Sequence, residues 1–154
     1  MAARTYAHRQ AAWNLIIPIG ALAIPFVMAM MILAGTILGA VLVGIGLGVA
    51  YATFGSLHTS VDADEVTAGW TWGWPRRRIP VKHIESHAAV RNRWWHGWGV
   101  RLIPGGMLYS VWGLDAIEIH YRDVRLGKAR MFRIGTDDVA GLDDAITAAR
   151  ADRH

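Results

Sequence analysis

From Ala11 to Leu57 the chain has no Lys, Arg, Asp or Glu, and Asn14 is the only strongly polar side chain. As one helix, this run of about 47 residues would extend roughly 70 Å at 1.5 Å per residue. That is more than twice the roughly 30 Å of a bilayer core. The run therefore predicts a transmembrane helical hairpin over 11–57, with helices at about 13–33 and 36–56. Ala34-Gly35-Thr36 supplies the break, because Gly permits a tight turn and Thr36 can cap the second helix. A cleavable secretory signal is disfavoured, since the apolar stretch runs far past any plausible cleavage site.

A hairpin returns both ends to one side. Residues 1–10 read as a tail carrying Arg4 and Arg9, and Arg76, Arg77 and Arg78 follow the second helix. Under the positive-inside rule, both termini and the domain after the hairpin are expected to be cytoplasmic, with the chain multi-pass in an inner membrane. Thr36, Ala40, Gly44, Gly48 and Ala52 recur every four residues, which lets helix backbones approach closely. Packing against the first helix and a homo-oligomer seam both fit this stripe. Neither helix has an ionisable group to bind a solute or relay a proton, which disfavours a transport pathway.

The net charge of +4 is unevenly placed. Asp62, Asp64 and Glu65 make the start of the remaining chain acidic. Arg76, Arg77, Arg78, Lys82, Arg91, Arg93 and Arg101 then make its middle basic, next to most of the tryptophans. Beside a bilayer, that mixture points to anionic lipid headgroups. Nucleic acid is disfavoured, because no helix-turn-helix, finger or RNA-binding signature accompanies it. With no cysteine, disulfides and thiolate metal sites are excluded.

After Ser56 the hydrophobic period becomes two. Leu57, Thr59 and Val61 alternate with polar neighbours, as do Val66, Ala68 and Trp70, and Ile117, Ile119 and Tyr121. Turn signals separate the runs, among them Asp62-Ala63-Asp64, Gly73-Trp74-Pro75 and Pro104-Gly105-Gly106. This is the pattern of an antiparallel meander with one buried face, about seven strands in all. A helix follows Thr136, with Val139, Leu142 and Ile146 on one face.

Gly73-Trp74-Pro75-Arg76-Arg77-Arg78-Ile79-Pro80, Arg91-Asn92-Arg93-Trp94, Gly97-Trp98-Gly99-Val100-Arg101, Gly113-Leu114-Asp115-Ala116-Ile117-Glu118 and Phe132-Arg133-Ile134-Gly135-Thr136-Asp137-Asp138 occur in that order. In this the chain resembles the bacterial pleckstrin-homology-like (PH-like) membrane proteins, two transmembrane helices followed by a PH-like domain. The resemblance implies a PH-like roll of about seven strands and a C-terminal helix over 58–154, held at the cell membrane. It implies no catalytic residues, and a PH-like fold serves many partners.

Arg76, Arg77, Arg78, Arg91, Arg93, Trp94 and Trp95 form the candidate surface for lipid or membrane contact. Trp suits the headgroup level and Arg meets phosphates with paired hydrogen bonds. The competing reading places several tryptophans in the core under Arg stems. Trp70, Trp72 and Trp74 are expected to share one strand face. His83 and His87 flank Glu85 without forming a zinc motif, and read as surface histidines. Ser56, Ser60, Ser86 and Ser110 lie in no nucleophile elbow. No cofactor is implied. The expected function is a non-catalytic, membrane-anchored adaptor or scaffold that binds a protein partner, with a strand edge for peptide docking. The alternatives are an anionic-lipid-binding domain and an accessory subunit of an oligomeric channel or transporter.

Overall fold

The computed structural model describes residues 6–94, 99–123 and 126–152, with the side chains of 13–19, 51 and 54 outside that set. β1 (Tyr6–Ala11) runs into α1 (Trp13–Leu33) and α2 (Ile37–Phe54). β2 (Ser56–Val61), β3 (Glu65–Trp70) and β4 (Arg76–Pro80) follow. A single 3-10 turn at Val81–His83 leads to β5 (Ile84–Arg91). Then come β6 (Gly99–Ile103), β7 (Gly106–Ser110), β8 (Asp115–Asp123), β9 (Lys128–Gly135) and α3 (Val139–Ala151).

The strand alternation determines which side chains face inward. β1–β4 form one antiparallel sheet in that order, and Gln10, Leu57 and Trp70 stand opposite one another across three strands. Their register mates His8, Thr59 and Ala68 point the same way, because successive residues alternate faces. β1 occupies the second half of what reads in sequence as a tail. It joins the sheet because Ala11 pairs with Ser56, and the Ala12 amide donates to the Gly55 carbonyl at 2.9 Å. The helical hairpin is thus inserted between two paired strands. Gly35, at φ 68°, makes its turn.

The second sheet has the order β5-β8-β9-β7-β6. Its β7 runs parallel to β9, so this sheet is not the simple meander expected. Alternation reports which face a residue takes but not which strand lies next to it. The parallel contact is close: a methyl on Gly106 would strike the Met131 carbonyl, lying 2.6 Å from its carbon.

The inward faces of both sheets share one core with α3. Trp70, Phe132, Ile117, Ile119 and Ile134 are fully buried, and Leu142 and Ile146 close the open end. Each such side chain contributes about 1.5–3 kcal/mol. The Tyr109 and Phe132 rings meet edge to face at 4.9 Å. α3 starts two residues later than Thr136 suggests. Asp138 is its N-cap, accepting from the Gly141 amide at 3.0 Å, while the Thr136 hydroxyl accepts from the Asp138 amide. Tyr6 and His8 hold β1 to this helix start through Asp138 (3.0 Å) and Asp137 (2.6 Å).

Among the described residues no helix is long and apolar enough to cross a membrane. The 18 residues of α2 extend about 27 Å. The hydrocarbon core of a bilayer is roughly 30 Å thick, so a helix of that length falls short of it. This corrects the expected architecture of a transmembrane hairpin carrying a PH-like roll. The structure is mainly β, with two separate sheets and three helices. The expected inner-membrane, multi-pass placement with cytoplasmic termini falls with it, because the positive-inside rule orients only segments that cross.

Gly106→Ala is expected to lower stability by roughly 1–3 kcal/mol through backbone collision. Gly44→Ala, where nothing lies within 4 Å of the added carbon, should cost nothing. Urea midpoints of the two variants check both.

Candidate functional site

Among the described residues the Arg76–Pro80 strand is the edge of its sheet, paired through β3 alone. Alternation divides its arginines. Arg77 stands opposite Ala68 and turns inward, while Arg76 and Arg78 stand opposite Gly69 and Thr67 on the outer face. Inward, the Arg77 guanidinium donates to the Tyr121 hydroxyl at 2.6 Å and lies 5.7 Å from that ring's centre. Asp123 sits 3.8 Å from it.

Two clefts meet at this pair. The larger, about 550 Å³, is lined by Arg76, Arg77, Arg78, Pro80, His83, Tyr121, Arg122 and Asp123. The smaller, about 180 Å³, shares Arg77 and Tyr121 and adds Leu102, Met107, Arg130, Met131 and Phe132. Arg122 pairs with Glu85 at 2.9 Å, and Arg78 approaches Glu65 at 3.7 Å. Together the clefts form a groove with an apolar floor, a cationic rim and an open strand edge along one side.

Arg91 and Arg93 line a separate cleft with Ile103, Pro104 and Arg133, and share no lining residue with the first. The five arginines expected to act as one surface are therefore divided between two clefts. Trp94 is exposed, whereas Trp95 and Trp98 lie outside the described residues. Trp70, Trp72 and Trp74 do not share a strand face. β3 ends at Trp70, which is buried, and Trp72 and Trp74 project from the following turn. In α2, Gly44 and Gly48 have nothing within 4 Å of an added carbon, while Gly39 approaches Met31. The close approach to α1 is thus made by a glycine outside the Thr36, Ala40, Gly44, Gly48 and Ala52 row.

His87 is not a surface histidine. Arg150 donates to its Nδ1 at 3.1 Å, and its Nε2 faces Thr147 at 3.1 Å and Asp143 at 3.5 Å. Burial, opposed by Asp143 and reinforced by Arg150, holds its pKa below 6.5. His58, on the outer face, is likewise depressed by burial and then by Arg9. Glu118 is raised by burial, but hydrogen bonds from Arg133 (2.5 Å) and His120 (2.8 Å) outweigh this and hold it below 4.5.

A serine–histidine contact, Ser56 Oγ with His58 Nε2 at 3.2 Å, was not singled out by sequence spacing. Ser56 is buried, and the neighbour set against the imidazole is Arg9 rather than a carboxylate. A base needs an orienting acid and a nucleophile needs access. This pair has neither. Among the described residues no group of three His, Asp or Glu side chains could hold a metal ion. Tyr121, Arg130 and Phe132 were also missed, because sequence spacing does not show which strands bring them beside Arg77. No family model, curated protein or solved structure matches this chain.

With folded pKa values below 6.5, His58 and His87 bind fewer protons than the unfolded chain below that pH. Their contribution is therefore full above pH 6.5 and declines as pH falls through the folded values. Urea midpoints should drop between pH 7 and about 5, and the drop should shrink in a His58→Gln/His87→Gln double variant. Glu118 adds its own loss only below 4.5.

Proposed function

We propose that this protein is a non-catalytic binding module that docks an acidic, extended segment of a partner protein along the Arg76–Pro80 edge. The observation that carries this reading is the open edge of β4 beside the groove built on Arg77 and Tyr121. An added strand takes its affinity from main-chain hydrogen bonds and its specificity from pockets for alternate side chains. One set of alternate side chains would enter the apolar floor at Phe132 and Met107. Acidic residues between them would meet Arg122, Arg130 and His83. The arginines on this edge also discourage indiscriminate pairing with other strands, so the charge that protects the edge also selects an acidic partner.

A fluorescent decapeptide alternating Glu with Val tests the reading by anisotropy, beside a Lys/Val counterpart and a copy N-methylated at alternate amides. The acidic peptide should bind more tightly than the basic one by roughly tenfold or more, the gap closing with salt. N-methylation should abolish binding if strand addition supplies the hydrogen bonds. Arg77→Gln should weaken the acidic peptide. Equal binding of all three peptides would overturn the proposal.

A further inference from the structure

The outer face of the β1–β4 sheet carries a second cationic feature, which shares Arg76 with the lining of the peptide groove. The register places Arg9, His58, Gly69 and Arg76 side by side across all four strands. Two arginines thus flank a histidine, and the remaining position of the row has no side chain. Adjacent strands lie about 4.8 Å apart, so the two arginines are based roughly 14 Å apart and their side chains can converge over the middle.

Gly69 is not required by its backbone, since it is absent from the positive-φ glycines. Glycine inside a strand weakens it and marks a place where something approaches closely. Here the Arg76 side chain does so: its Cγ lies 3.2 Å from where a Gly69 Cβ would stand, leaning into the row. A hollow of about 310 Å³ lies over these residues, with Ser60 and Thr67 from the next row in its lining. Like charges placed directly across strands are destabilising. The carboxylate on this face, Glu65, is already engaged by Thr67 at 3.2 Å and Arg78 at 3.7 Å. Neither Arg9 nor Arg76 has an ion-pair partner among the described residues.

We infer that this row is a binding site for a phosphate-class oxyanion, held between Arg9 and Arg76 over Gly69. Arg forks match a tetrahedral oxyanion with paired hydrogen bonds. The Ser60 hydroxyl and the His58 ring complete the donors, and the missing side chain at Gly69 lets Arg76 lean across the row. The size of the hollow suits inorganic phosphate or the head of a small phosphomonoester. Bound dianion would raise the affinity of His58 for a proton, against the opposing effects of burial and Arg9, while Ser56 and Thr71 contribute only hydroxyls behind it.

Calorimetric titration of the full chain with inorganic phosphate and with glycerol 3-phosphate, at constant ionic strength against chloride, tests this. Saturable binding is expected, weakened by roughly tenfold or more in Arg9→Gln/Arg76→Gln. Gly69→Val should weaken it comparably by displacing the Arg76 side chain, with the melting temperature confirming that each variant folds. Arg77→Gln should leave phosphate binding unchanged, which separates this site from the peptide groove. Tighter binding of the ester than of free phosphate identifies a phosphorylated small molecule as the source, and the reverse identifies inorganic phosphate. Heat no greater than the chloride control, or binding indifferent to the Arg9, Arg76 and Gly69 changes, would overturn the inference.

Discussion

The pairing of β1 with β2 is the constraint on which the rest depends. Ala11 lies opposite Ser56, and the Ala12 amide closes onto Gly55, so residues separated by the whole apolar hairpin become neighbours. Joining the ends of so long a loop has an entropic cost that grows only slowly with loop length. The helical hairpin lowers it further by folding back on itself. Once closed, β1 brings Tyr6, His8 and Gln10 to the start of α3 and the adjoining turn, through Asp138, Asp137 and the Trp112 carbonyl. The helix that plugs the core is thereby tied to the first strand of the chain.

The same closure makes the outer face four strands wide. Arg9 reaches the row of His58, Gly69 and Arg76 only because β1 is in register with β2. Meanwhile β4 is left as the opposite edge, with Arg77 turned inward onto Tyr121. One run of three consecutive arginines therefore serves two faces, since neighbouring residues on a strand point to opposite sides. An anion on one face and a peptide on the other would share only Arg76 among these arginines.

Much of the local structure was legible in the chain. The period-two runs around Leu57, Val66 and Ile117 are strands, and Gly35 turns the hairpin. The apolar face of Leu142 and Ile146 is buried in α3. These are consequences of alternation, helical periodicity and glycine's tolerance of positive φ. The candidate site was legible only in part. Arg76, Arg77 and Arg78 stood out as charge, but they line a different cleft from Arg91 and Arg93. Nearness along the basic middle of the chain is not nearness across two sheets.

Composition and period thus determined that an apolar helical hairpin precedes an alternating, mainly β segment ended by an amphipathic helix. Only the tertiary structure decided that residues 6–11 are a strand, that β7 lies parallel to β9, and that Tyr121 sits under Arg77. It also brought Arg9, His58 and Arg76 into one row. The physical reason is that side-chain period is a local property of the backbone. Strand partners are chosen by long-range packing and loop closure, which leave no repeat in the sequence.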